Sequence, residues 1–483
     1  MRILFVRPPS IMGREHAHAL QHPINLCWLA AAVRDGGFEP AILDYEVIPC
    51  ADGDFAARLR EMNPGIVGFT AMTPSADAVA RMAETAKRVL PEALAVIGGP
   101  HASILPAETL KKYPQFDAAV IGEGETAFLE LCRAAREGVM GVASIPSVII
   151  RRGGALIGDP ARRAEPLDLA TLPLPARELL ELDLYIGAPT PGIPGKNYRA
   201  TQLFTARGCP GKCIFCCSEQ VFGRRVRHRP LDHILNEIEH CRSRFGFNHF
   251  TIDNDTFTDD RARVLEFCAA VSGMGITWDC DTRVDRVDEE LLSAMAGAGC
   301  VKVAFGVESG SPRVLKWIKK GITVDQVRDA FRWTRRAGML SCAFFMIGNH
   351  PDETESDVKA TSRLIREISP DLITVAISTP YPTTELNRLM REAGLLGDLP
   401  WSAYGGSFHG DPVTRTRTLS PERLKALQSR MLRSFFLRPA YILKRMSGIR
   451  NLNDALYWFG AGVQFLIYLI TRERDKAPKQ RGR

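Results

Sequence analysis

Short apolar runs alternate with helical stretches through most of this chain, and that alternation leaves few folds open. In residues 1–150 the strand-like runs are Ile3–Val6, Ala41–Asp44, Ile66–Thr70, Ala95–Ile97 and Ala118–Ile121. Between them lie Leu26–Arg34, closed by Gly36-Gly37, then Asp54–Met62, and Ala76–Val89 stopped by Pro91. Strands this apolar, separated by helices, form a parallel sheet covered on both faces. Such α/β sheets bind ligands at the carboxyl ends of their strands. Here those ends carry Thr70, Gly98-Gly99 and Gly122. Taken alone, residues 1–150 read as a generic nucleotide-binding or receiver-like domain.

Residues 151–197 are rich in Pro, Gly and Leu and lack a period. They read as a linker holding a short strand pair, Val148–Arg151 with Ala155–Ile157, and Pro189–Gly195 reads as a domain boundary. Residues 198–385 then repeat the strand–helix pattern. The strands are Ala200–Ala206, His249–Ile252, Thr277–Asp281, Cys300–Phe305, Cys342–Ile347 and Leu372–Ser378, with helices such as Pro230–Arg244 and Asp288–Gly297 between them. Six β/α units fall short of the eight of a full barrel and predict a partial (β/α)6 barrel.

Residues 386–483 are expected to be mostly helical. Ala455–Ile470 is nearly all apolar, but its sixteen residues are fewer than the roughly 20 that span a bilayer. It reads as a buried helix. The other placement is peripheral contact of residues 455–483 with a membrane, since Arg472, Arg474, Lys476, Lys479, Arg481 and Arg483 follow it. The last residues are expected to be disordered.

Composition narrows the class. Of 483 residues, 45% are hydrophobic and 24% charged, which excludes disordered and collagen-like chains. The net charge is +7, yet no Lys/Arg block interleaves with aromatics, so nucleic acid is not expected as a partner. Met1–Ser10 is broken by Pro8-Pro9 and reads as a first strand, not a secretory leader. A cytoplasmic protein is therefore expected, with its twelve cysteines serving as metal ligands or buried thiols.

Three of those cysteines carry the chemistry. Arg207-Gly208-Cys209-Pro210-Gly211-Lys212-Cys213-Ile214-Phe215-Cys216 follows the first strand of the second series. Thiolates spaced CxxxCxxC in a glycine-rich loop can wrap one corner of an iron–sulfur cluster. A [4Fe-4S] cluster takes four ligands, so three leave one iron open to a substrate or cofactor. Cys217 reads as a small buried apolar group. Zinc is disfavoured because no second cysteine pair stands at matched spacing.

At these residues the chain resembles the radical S-adenosylmethionine (SAM) superfamily. CxxxCxxC with an aromatic residue, Phe215, before the last cysteine is that family's signature. The resemblance implies a [4Fe-4S] cluster on Cys209, Cys213 and Cys216 and SAM on the open iron, cleaved on reduction to a 5′-deoxyadenosyl radical. Val303–Gly310 is similar to the family's fourth-strand segment, which implies that Glu308 and Ser309 approach SAM. Asp253-Asn254-Asp255 stands where many members bind the SAM amine, implying that role for Asp253, and Arg283 is placed to meet the SAM carboxylate. Phe345–Gly348 resembles the segment near adenine. Two loops depart from the pattern. Gly348-Asn349-His350-Pro351-Asp352-Glu353-Thr354 replaces Gly-x-Pro-Gly-Glu-Thr, and Pro380-Tyr381-Pro382-Thr383-Thr384 replaces Pro-Tyr-Pro-Gly-Thr.

The first domain resembles the cobalamin-binding, flavodoxin-like domain fused to many such enzymes. Gly68–Thr73, Ile97–Ser103 and Ile121–Glu125 are the matching pieces. They imply a cobalamin site at Thr70, Met72, Thr73, Gly98, Gly99, Gly122 and Glu123, with glycines admitting a large flat cofactor and hydroxyls binding its tail. No Asp-x-His-x-x-Gly occurs, so no axial histidine of the methionine-synthase type is expected. The implied activity is methylation of an unactivated carbon through methylcobalamin. The alternatives are an oxidative cyclisation or rearrangement on a tetrapyrrole or lipid, a radical SAM enzyme whose first domain holds no cobalamin, and a non-catalytic sensor. The implied partners are a small-molecule substrate (lipid, tetrapyrrole or natural-product intermediate) and an electron donor such as flavodoxin or ferredoxin.

The other polar clusters have plainer readings. His16, His18 and His22 read as surface or substrate-lid residues, and His101 as a loop residue near the cofactor tail. Asp253, Asp255, Asp279 and Asp281 read as SAM-binding or barrel-mouth carboxylates rather than a glycosidase pair. Asp285–Glu290 reads as a helix N-terminus.

Overall fold

The computed structural model describes residues 1–9, 21–49, 53–138, 145–185, 199–405 and 411–447, with single positions between 449 and 463. The expected boundary at Pro189–Gly195 and the residues His16 and His18 lie outside these. Two parallel sheets organise the chain. The first contains β1 (Arg2–Arg7), β2 (Glu39–Asp44), β3 (Ile66–Thr70), β4 (Leu94–Gly98), β5 (Ala118–Val120), β6 (Val148–Arg152) and β7 (Ala155–Ile157). Its order is β2-β1-β3-β4-β5-β6-β7, with β1 to β5 parallel. This is the flavodoxin-like winding, whose ligand crevice opens where the order reverses between β1 and β3. Ile3, Leu4, Phe5 and Val6 are all buried, as a strand covered on both faces requires.

The strand pair expected in the linker instead extends this sheet. β6 runs antiparallel to β5, Ala118 opposite Ile150, and β7 pairs with β6. β5 is only three residues long, and the hairpin covers the edge it would leave open. Within residues 169–185 the linker is not an exposed connector either. Leu169, Leu172, Ala176, Arg177 and Tyr185 are buried. This strap crosses between the sheets: Ala176 N–H donates to Cys27 O at 3.1 Å, and Arg177 donates to Thr201 Oγ1 at 3.1 Å and Glu237 Oε1 at 2.6 Å. Its irregular sequence reflects contacts made on two sides.

The second sheet contains β8 (Ala200–Leu203), β11 (His249–Ile252), β12 (Thr277–Thr282), β13 (Cys300–Glu308), β14 (Leu340–Ile347) and β15 (Leu372–Ile377). These six strands lie in chain order and all run parallel. The first strand is shorter than expected. It leaves the sheet at Phe204, and Ala206–Arg207 forms β9, antiparallel to β10 (Arg227–His228). Asn254 fixes the departure, accepting from Thr205 N at 2.9 Å and donating to Thr205 Oγ1 at 2.7 Å.

The C-terminal helix Pro421–Phe436 lies on β15 through Leu424, Leu427 and Met431. Its buried Gln428 donates to Val375 O at 2.5 Å, satisfying a carbonyl that an edge strand leaves free. The short turn Trp401–Gly405 packs on the first domain, where Trp401 meets His101 and Tyr113. Of the expected buried helix Ala455–Ile470, residues 464–470 lie outside the described residues; Trp458 is half-buried against Arg445, while Leu456 is 59% and Phe459 73% exposed. No helix among the described residues is long and apolar enough to cross a membrane.

Candidate active site

The cysteine loop is held by its backbone. Gly208 has φ 98, and a Cβ there would lie 2.3 Å from Arg225 O, so only glycine fits. Ile214 is buried in the core. Its N–H donates to Ile318 O at 3.2 Å and its carbonyl accepts from Leu386 N at 2.9 Å. Phe215 packs against the same core. The loop thereby presents Cys209, Cys213 and Cys216, all free thiols, at the carboxyl end of the second sheet. Gly211 lies between two of them: a Cβ on it would stand 3.3 Å from Cys209 Sγ and 3.8 Å from Cys213 Sγ. No three His, Cys, Asp or Glu side chains among the described residues are already closed around a metal-sized point. The donor set nevertheless fits a cluster: three thiols on one loop, backed by cations. Burial pushes the Cys213 thiol up, while Lys320 and Arg283 pull against it.

Charged groups surround the loop. Lys320 pairs with Glu308 at 2.8 Å, both buried, and Glu308 has φ 66. Gly306 leaves room for that pair, since a Cβ there would stand 2.7 Å from each partner. Arg283 is held by Asp285 at 2.9 Å and 3.0 Å and donates to Lys320 O at 2.6 Å. Ser309 is fully buried and faces Thr361 Oγ1 at 3.2 Å, so its hydroxyl braces the chain behind Glu308.

The four aspartates separate into two groups. Asp279 is buried in a network with His249 at 2.7 Å, Thr251 at 3.1 Å and Lys302 at 3.5 Å, inside the barrel. Asp253 and Asp255 face the cavity, Asp255 accepting from Ser218 Oγ at 2.6 Å. Burial, with Asp255 and Asp279 beside it, pushes the Asp253 carboxyl up to about 6. Burial likewise raises Asp281 to about 7 against the pull of Lys302.

A cavity of about 740 Å³ joins the carboxyl ends of both sheets. Thr70, Met72, Gly98, Gly99, Gly122 and Glu123 line it from the first sheet, and Cys217, Asp253, Asp255 and Tyr381 from the second. Gly99 has φ 85, and a Cβ there would stand 2.7 Å from Thr70 Oγ1. A Cβ on Gly122 would come within 3.2 Å of Val221 O, across the boundary between the sheets. Thr73 is buried beneath this surface, its hydroxyl 3.3 Å from His101 Nδ1. His101 is on a helix, not in a loop, and is fully buried between Thr73 and Thr109. His22 is buried too, not a surface or lid residue. It bonds Thr201 Oγ1 at 2.8 Å, and burial lowers its pKa to about 3.

Sequence reasoning missed the contact that ties the sheets together. Arg207, two residues before the first cluster cysteine, donates to Glu123 at 2.9 Å and Glu125 at 2.5 Å. Arg227 also pairs with Glu123. Glu123 is thus committed to a clasp as well as lining the cavity. Arg207 and Glu125 are buried, and the guanidinium lies 4.9 Å from the Trp28 ring. A local signal existed in the arginine of Arg207-Gly208-Cys209 and the acids of Gly122–Glu125, but nothing local could pair them.

Comparison with known proteins agrees with this arrangement. Residues 14–132 match the B12 binding domain and residues 203–365 the radical SAM superfamily. An uncharacterized methyltransferase of Pyrococcus horikoshii is 31% identical over 449 residues, 92% of this chain and 94% of that protein. The anaerobic magnesium-protoporphyrin IX monomethyl ester cyclase of Rubrivivax gelatinosus is 30% identical, over 80% of this chain and 69% of its own. In fold, a cobalamin-dependent SAM radical enzyme solved with aqua-cobalamin and SAM superposes with TM-score 0.74 at 15% identity, covering 97% of this chain and 72% of its own. Fold and site together define an enzyme that joins a cobalamin domain to a radical SAM sheet. The chain belongs to the B12-binding radical SAM family, whose cofactors are a [4Fe-4S] cluster, SAM and cobalamin.

Proposed function

We propose that this enzyme transfers a methyl group from SAM to an unactivated carbon of a small apolar molecule. The observation that carries the reading is a cavity lined from both sheets, by Gly98, Gly99 and Gly122 on one side and Asp253 and Asp255 on the other. It lets one substrate meet groups held at either end. When bound, the reduced cluster with SAM supplies a hydrogen-abstracting radical, and cobalamin supplies the methyl group.

The chain's own residues then hold and orient. Cys209, Cys213 and Cys216 are the cluster ligands. Asp253 offers a carboxylate for the SAM amine, and Arg283 a fixed guanidinium for its carboxylate. Phe215, Glu308 and Ser309 set the wall around it, Ser309 by bracing the backbone. Thr70, Met72, Gly98, Gly99 and Gly122 form the cobalamin face, with Thr73 supporting it from below. His22, the histidine lining the cavity among the described residues, is held by Thr201 Oγ1 at 2.8 Å. Glu123 positions the loop through Arg207.

A tetrapyrrole cyclisation is the second reading, favoured by the protoporphyrin cyclase relative. The substrate class under either is a lipid, tetrapyrrole or natural-product intermediate. The electron donor is a small flavodoxin- or ferredoxin-type protein. Turnover with SAM carrying a labelled methyl group separates the readings. Label in the product supports methyl transfer; a dehydrogenated, unlabelled product contradicts it.

A further inference from the structure

The net charge of the chain is confined to one end. Residues 438–483 carry ten Lys and Arg against three Asp and Glu. The whole chain carries 62 against 55, so residues 1–437 balance at 52 of each. The same end carries most of the exposed large apolar side chains among the described residues. Leu443 is 65% and Met446 61% exposed on the helix Pro439–Ser447. Beyond it Leu452, Leu456, Phe459 and Val463 are 74%, 59%, 73% and 38% exposed. Their spacing of four, three and four places them on one helical face. Apolar patches of this kind on a folded protein mark contact surfaces.

A basic cleft lies on the preceding helix. Arg430, Arg433 and Arg438 line a depression of about 500 Å³ on the helix Pro421–Phe436, together with Ser429, Ser434 and the half-exposed Leu437. No carboxylate is among its lining residues. Lys444 and Arg445 are occupied by Asp371 and add nothing to it. Arg438 donates through Nε to Phe435 O at 3.1 Å and Ser434 to Met431 O at 2.9 Å, so the exposed Arg430 is the guanidinium best placed for a phosphate oxygen.

We propose that the C-terminal region from Arg430 onward docks this enzyme on an anionic lipid bilayer. The apolar face enters the acyl boundary and the arginine cleft receives phosphate headgroups. A second copy of the chain fits less well, because it would bring two regions of the same sign together. A nucleic acid leaves the apolar face uncovered. The inference stands whichever reaction the cavity performs.

The test is flotation of the full-length holoenzyme with vesicles of phosphatidylcholine alone and of phosphatidylcholine with phosphatidylglycerol. Binding should be confined to the anionic vesicles and weaken as salt rises. Arg430→Gln and Arg438→Gln should each weaken it about fivefold, at about 1 kcal/mol per charge near the surface. Leu443→Glu combined with Phe459→Glu should abolish it. None of these positions lines the cavity, so SAM cleavage in solution should stay unchanged and report folding. Equal binding to neutral and anionic vesicles overturns the proposal. So does absence of vesicle binding, including the case where light scattering finds a dimer that Phe459→Glu dissociates.

Discussion

The carboxyl ends of the two sheets face one cavity but are built from opposite materials. The first sheet ends in glycines, a threonine and an exposed methionine: Gly98, Gly99, Gly122, Thr70 and Met72. The second ends in thiols, carboxylates and paired cations: Asp253 in the cavity lining, and Cys209, Cys213, Glu308, Lys320 and Arg283 outside it. A surface without bulk accommodates a large planar group, and a surface of titratable groups manages charge at a cluster and a sulfonium. The comparison teaches that the first sheet contributes room and the second contributes chemistry. Arg207 is the residue that belongs to both.

The largest effect should come from the second surface alone. Cys209→Ala, Cys213→Ala or Cys216→Ala should reduce 5′-deoxyadenosine formation to background, measured by chromatography of the quenched reaction. Cobalamin loading, read from absorbance, should persist, because no cysteine of the loop builds the first surface. Loss of cobalamin in these variants would break the division drawn between the sheets.

Next is the clasp. Arg207→Met leaves the buried Glu125 carboxylate without its partner, and breaking one side of such a pair costs about 3–5 kcal/mol. Urea unfolding of the metal-free protein should show that loss. Arg207 also holds the Glu125 carboxyl below its usual range despite burial. A depressed acid stabilises above its unfolded pKa, and that stability is lost as pH falls through the folded value. The gap between native protein and Arg207→Met should therefore narrow under acid conditions.

Glu353 gives a smaller effect of opposite sign. It is fully buried, with Oε2 accepting from Asn349 N at 2.5 Å and Oε1 without a partner. Burial pushes it up to about 8. An acid whose folded value is raised binds more protons folded than unfolded, so stability declines as pH rises from the unfolded value to the folded one. Between pH 5 and 8 the native protein should lose stability, and Glu353→Gln should flatten that slope. The gain at pH 8 should be on the order of 1–3 kcal/mol.

Much of this architecture was legible in the sequence for a physical reason. Strands buried on both faces must be continuous apolar runs, as Ile3–Val6 and Cys342–Ile347 are, whereas β12 carries Asp279 and Asp281 and was legible only through its place in the strand–helix alternation. The cysteine loop was legible because its ligands are local in sequence. What was hidden depends on distance along the chain. Arg207 meets Glu123 across 84 residues and Arg177 meets Glu237 across 60, and no periodicity encodes either pair. The linker misled for a related reason, since a strap packed on two sides has no single apolar face. His22 was misread because its burial depends on Tyr185 and Phe247, both remote in sequence.

The smallest predicted effect comes from one of the two unusual loops. Thr383 stands where Pro-Tyr-Pro-Gly-Thr places glycine, and it retains a left-handed backbone with φ 68. Holding a non-glycine residue there costs roughly 1–2 kcal/mol, partly offset by glycine's greater freedom when unfolded. Thr383→Gly should raise stability by up to about 1 kcal/mol in urea unfolding.

The account rests on two cofactors meeting in one cavity. Anaerobic reconstitution with iron, sulfide and hydroxocobalamin, followed by metal analysis and an absorbance spectrum, addresses it directly. About four irons, the content of one [4Fe-4S] cluster, together with one cobalt per chain is the predicted result. Iron bound without cobalt would contradict it, reducing the first sheet to a wall of the substrate site.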